Sequence, residues 1–183
     1  MLSKPFNTSR LIFLIALLIT IVPHQPLAAE KNEQFDSADL RIRLNPRTPQ
    51  QMAAFYEARG FGKAMINEIQ KYCFITVYIR NKSNRIIWHD LNKWTFTQDG
   101  KSMQRINRKQ LKTIWQSMKV PLAHQSTFRW TLLPEQLDFR PGEGEGGNIV
   151  LPWTSNAITI QAQFKTHTDM PLTVNLQNIY CKK

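Results

Sequence analysis

From Cys73 to Arg80 β-branched and aromatic residues run over a full strand length, the clearest strand in the chain. Ile75, Val77 and Ile79 face one way and Phe74, Thr76, Tyr78 and Arg80 the other. Arg80 resists burial, so the isoleucine face is expected to look inward, and Cys73 shares its parity. Other stretches carry the same period of two. Leu40, Ile42 and Leu44 alternate with Arg41 and Arg43, which predicts a short edge strand. Residues 86–88 and 93–97 read as strands, with Trp94 and Phe96 on one face and a turn at Asp99-Gly100. Phe128, Trp130 and Leu132 alternate with Arg129 and Thr131, and the run 149–151 follows a glycine-rich loop. Ile158, Ile160, Ala162 and Phe164, then Leu172, Val174 and Leu176, alternate to the end of the chain.

Two regions break the period. Thr48 suits an N-cap and Pro49 the first helical position, with Met52, Phe55 and Tyr56 at helical spacing and Gly60 as the stop. Residues 63–71 continue with Met65, Ile66 and Ile69 on one side. The segment 107–119, capped by Asn107 and ended by Pro121, carries an apolar stripe of Leu111, Ile114, Trp115 and Met118. About seven short strands without alternating strand–helix units predict a mainly β fold. The expected architecture is an antiparallel immunoglobulin-like β-sandwich. It has a short N-terminal helical segment at 49–71 and one amphipathic helical insertion at 107–119.

The first residues of the 183-residue chain read as an export signal over 1–29. Lys4 and Arg10 precede an apolar run at 11–22, Pro23 and Pro26 end it, and Ala28-Ala29 offers a cleavage site before Glu30. The run is shorter than the roughly 20 residues that cross a bilayer, which favours cleavage over retention as an anchor. The expected layout is an N-terminal extension at 30–47 and a single domain at 48–183, periplasmic or secreted after cleavage near Ala29. Cys73 and Cys181 are the chain's two cysteines. In an oxidising compartment they are expected to form one disulfide, the alternative being two reduced, buried thiols.

The formal net charge is +11, and removing Lys4 and Arg10 with the leader lowers it by two, to +9. Such an excess favours an anionic partner, an envelope protein or a membrane surface touched peripherally, and export argues against nucleic acid. Arg105, Arg108, Lys109 and Lys112 recur at i, i+3, i+4 and i+7 and would gather on one helix face. That stripe is the candidate binding site for an anionic partner, its plain alternative being a solvated face.

Other chemistry finds little support. Gly142, Gly144 and Gly147 satisfy a G-x-G-x-x-G pattern, but a strand follows it and Glu143 and Glu145 would repel phosphate. Asp138, Glu143 and Glu145 do not match a calcium loop. No zinc spacing occurs, although His89, Met103, Met118 and His124 could serve copper. His89 and Asp90 adjoin, yet neighbours in a strand point to opposite faces. With no nucleophile–base constellation, no enzyme and no cofactor are implied. The expected function is a non-catalytic interaction module of the periplasm or cell envelope, the alternative a periplasmic copper-handling protein.

Two stretches carry a resemblance. Leu133-Pro134-Glu135, Phe139-Arg140-Pro141-Gly142-Glu143 and Gly147-Asn148-Ile149-Val150-Leu151-Pro152 resemble a pattern of exported bacterial immunoglobulin-like sandwiches, in which a Pro-Gly turn precedes a strand ending near proline. Residues 55–61, Phe55-Tyr56-Glu57-Ala58-Arg59-Gly60-Phe61, are similar to segments of uncharacterised exported proteobacterial proteins. The resemblance implies a fold and an exported setting and brings no functional residue with it.

Overall fold

Ten strands and four helices build the computed structural model, which describes residues 33–168 and 170–183. The leader expected over 1–29, and with it the cleavage near Ala29, lies outside the described residues.

The first sheet has the order β1 (Glu33–Asp36), β2 (Leu40–Arg47), β3 (Tyr72–Asn81) and β8 (Gly144–Pro152), every pair antiparallel. The second is organised on β9 (Ile158–Lys165), which holds β10 (Leu172–Ile179) along one edge. Its other edge is shared by β5 (Thr95–Gln98) and β4 (Ile87–Asp90): Ile160 partners both Leu176 and Phe96, and Phe164 both Leu172 and His89. β6 (Lys101–Met103) extends the sheet from β5, and β7 (Gln136–Phe139) extends it from β4. The predicted antiparallel β-sandwich is therefore present.

Its core is the set of inward residues that period-two patterning selects. Leu40, Ile42, Leu44, Ile75, Val77 and Ile79 from the first sheet meet Ile158, Ile160, Ala162, Phe164 and Val174 from the second, all buried. Cys73 and Cys181 are joined by a disulfide that ties β3 to the residues following β10.

A second core lies on the other face of the first sheet. Helices α1 (Pro49–Glu57), α2 (Lys63–Ile69), α3 (Arg108–Ser117) and α4 (Leu122–Trp130) supply Met52, Tyr56, Ile66, Leu111, Trp115 and Phe128, which cluster with Phe74 and Val150 of the sheet. The described residues thus form three layers: helices, sheet, sheet. Thr48 and Asn107 both close capping boxes, with Gln51 and Gln110 at the third helical position.

Several expectations need correction. β1 pairs with β2, so β2, expected as an edge, is an inner strand of the sheet. Phe74 does not face water, because the helical layer covers its side of β3. Phe55, expected beside Met52 in the apolar stripe of α1, is exposed, and Ala53 is buried in its place. Residues 128–130 are helical, not strand. Phe128 and Leu132 are four apart, a spacing that fits a helix as well as a strand, and Trp130 between them is 78% exposed. The glycines after Gly142 form no slack loop, since residues 144–147 pair with 77–80 of β3. Gly147 is needed there because a Cβ would lie 2.4 Å from the backbone nitrogen of Leu133.

Candidate docking groove between two helices

The four basic residues singled out from sequence divide into two pairs. Arg105 precedes α3 and its guanidinium grips Glu135 with two nitrogens, one bond being 3.0 Å, while donating to Asn92 Oδ1 at 2.7 Å. Its side chain keeps 11% of its accessible surface. Arg108, in the first turn of α3, donates to the carbonyl oxygens of Leu132 and Leu133 at 2.9 and 3.2 Å. Burial, and then the nearby Arg129 and Arg105 charges, pull its pKa below the ordinary arginine value, while Glu135 opposes the shift. Both arginines are spent on the segment 132–135, which runs from α4 to β7. Both clamp that segment in place, and Arg108 also lines the groove beside Lys109 and Lys112.

Lys109 and Lys112 point outward, exposed, with no side-chain partner among the described residues. They border a groove of about 520 Å³ between α3 and α4. Its apolar lining is Leu111, Trp115, Phe128 and Leu132, all buried residues of the helical core. Lys109 and Lys112 rim it from α3 and Arg129 from α4, while Leu122, 78% exposed, adds an apolar lip. The indole Nε1 of Trp115 is buried without a hydrogen-bond partner among the described residues. A surface of this kind can bury apolar side chains and attract negative charge. Arg129 and Leu122 were missed because 128–132 was read as a strand. The signal available was Pro121 at the start of a run whose Phe128 and Leu132 recur at helical spacing.

The copper reading required histidines and methionines to converge, and the structure does not bring them together. His89 sits within the sandwich, its ring 5.3 Å from that of Trp94, with Nε2 on the Pro134 carbonyl oxygen at 3.0 Å. His124 stacks on Phe61, and His167 meets the edge of Trp88. Met103 packs against the sandwich core and Met118 against the helical one. Among the described residues no three of His, Cys, Asp and Glu are grouped to hold a metal.

No protein-family model matches the chain, and no curated protein sequence matches it. Among solved structures it is similar to the candidate lipoprotein ycdA of Bacillus subtilis subsp. subtilis str. 168, at 10% identity and a TM-score of 0.45. That match covers 81% of this chain, which spans 39% of the Bacillus protein's length.

Proposed function

We propose that this chain is an exported, non-catalytic interaction module of the cell envelope that holds an acidic, amphipathic segment of a partner protein between α3 and α4. The observation that supports this reading is the groove itself, with apolar walls and Lys109, Lys112 and Arg129 around it. A partner helix with apolar and acidic faces would fill the first and pair with the second. The Cys73–Cys181 bridge supports the exported setting, because disulfides persist where thiols are not kept reduced.

A photo-crosslinking amino acid placed at Leu122 tests the proposal in intact envelopes. A discrete protein adduct is expected, lost when Lys109, Lys112 and Arg129 are all changed to glutamine. In parallel, the purified protein is sedimented with phosphatidylglycerol vesicles. Crosslinks only to lipid, or an adduct indifferent to the triple change, would overturn the reading.

A further inference from the structure

The outer face of the second sheet carries an independent feature, far in the layer order from the helices. A cleft of about 800 Å³ is lined there by Trp88, Asp90, Lys93, Gln136, Asp138, Gln163 and Lys165. The register explains how they come together. Trp88 on β4 lies directly opposite Asp138 on β7 and Lys165 on β9, and Asp90 lies opposite Gln136. Residues opposite one another, and residues two apart on one strand, share a face. The face is therefore a row of Asp138, Trp88 and Lys165 beside a row of Gln136, Asp90 and Gln163. Three strands at about 4.8 Å spacing make it roughly 10 Å wide. His167 meets the Trp88 ring edge-on at 5.0 Å between centroids, and Lys165 Nζ lies 5.8 Å from the same ring, so the indole is braced.

Three properties select the kind of ligand. First, among the described residues the cleft is charge-balanced, Asp90 and Asp138 against Lys93 and Lys165, in a chain whose formal charge is +11. A neutral ligand fits that balance better than an anion. Second, the side chains of Asp138 and Gln163 have no hydrogen-bond partner among the described residues, leaving a carboxylate acceptor and a bifunctional amide available. Third, a single half-buried indole stands among these polar groups. An apolar peptide would leave the carboxylate and amides unpaired against it, at a cost in affinity. A sugar ring offers both needed surfaces, an apolar C–H face for the indole and hydroxyls for the carboxylates and amides.

We infer that this face of the second sheet binds a glycan built of uncharged hexopyranose units, with Trp88 as the stacking platform and Asp138 and Gln163 as hydroxyl partners. Saturation-transfer NMR and tryptophan fluorescence on the purified mature protein test it, using cellohexaose, hexa-N-acetylchitohexaose and maltohexaose as probes. Saturable binding to at least one is expected. Trp88→Ala, and separately Asp138→Ala with Gln163→Ala, should weaken it roughly tenfold or more. Those last two side chains bond to no other described residue, so their loss leaves folding intact if Trp88→Ala does not. The Lys109, Lys112 and Arg129 glutamine variant should bind the glycan as the parent does, which separates this site from the helical groove. No binding to any of the three probes at millimolar concentration, binding indifferent to the Asp138 and Gln163 changes, or a preference for a sulfated glycan at this face would overturn the inference.

Discussion

Cys73, in the middle layer, and Cys181, two residues beyond the last strand of the outer sheet, are bridged with their Cα atoms 5.5 Å apart. The bridge closes a loop with a sequence separation of 108, which encloses strands β4 to β10 and two of the four helices. In the chain-entropy model, a loop of this length removes about 4–5 kcal/mol of freedom from the unfolded chain. Replacing both cysteines with serine should lower the unfolding free energy by about that much, with the fold retained at low temperature. Urea unfolding of the variant, and of the parent with and without reductant, measures it. A parent insensitive to reductant under conditions where the thiols titrate would contradict the expectation.

Arg105 and Lys112 belong to one basic cluster in sequence, yet they should behave oppositely when removed. Arg105→Ala strands Glu135, which is largely covered, and also loses the bond to Asn92, so a cost of about 2–4 kcal/mol is expected. Lys109→Ala and Lys112→Ala touch exposed, unpaired side chains and should stay within about 0.5 kcal/mol of the parent. A double-mutant cycle on Arg105 and Glu135 should return a clear coupling energy by denaturant unfolding.

That contrast also marks where sequence reading stops. The sandwich was legible because burial on one face of a strand imposes a period of two, which β9 keeps throughout, β3 breaks only near Phe74 and β10 only at the register shift after Leu176. The helix caps at Thr48 and Asn107 were legible because a cap needs only neighbours three residues away. The fate of Arg105 depends instead on Glu135, thirty residues on, and that of Arg108 on the carbonyls of Leu132 and Leu133. No local pattern encodes those pairings. The helical layer was hidden for a similar reason: Phe74 and Val150 sit on the face of the first sheet that patterning assigns to solvent, and only packed helices make that face a core. The Trp88 cleft depends on β4, β7 and β9 lying side by side, an order that the chain sequence does not display.

Gly147 offers a sharp test of the contact between β8 and the segment leaving α4. An added Cβ would stand 2.4 Å from Leu133 N and 2.6 Å from Leu132 C, both backbone atoms that cannot swing aside. The same segment holds Leu133 N to Asn148 O at 3.1 Å and Asn148 N to Thr131 O at 2.8 Å, so displacement breaks hydrogen bonds as well. Gly147→Ala should cost about 1–3 kcal/mol, as overpacking does. Gly62→Ala, where a Cβ meets nothing within 4 Å, should cost less than about 1 kcal/mol, the scale of a helix N-cap change. Thermal unfolding of the two variants side by side measures the difference.

His89 should make stability pH-dependent. Its Nε2 faces the Pro134 carbonyl, an acceptor, so Nε2 carries the proton and donates it. Nδ1 is then a bare nitrogen, buried beside Trp94, Phe139 and Phe164 with no hydrogen-bond partner among the described residues. Burial, the leading cause, pushes the pKa of the ring below its ordinary value of 6.5, against the opposing pull of the Pro134 bond and of Asp90 and Glu135. With the folded pKa depressed, the unfolded chain takes up the proton first as pH falls. The contribution is therefore fully present above pH 6.5, is lost as pH falls below it, and levels off once the folded ring also titrates. His89→Gln keeps a side chain able to donate to Pro134 and removes the titration. Unfolding free energies of parent and variant, measured from pH 7.5 downward, should diverge in slope below 6.5, the parent losing stability faster. The carboxylates of Asp36 and Glu68, whose pKa values are held low, destabilise only at more acidic pH and are common to both proteins, so they cancel from the difference. Parallel curves for parent and variant would mean that His89 accepts its proton in the folded state as readily as in the unfolded chain.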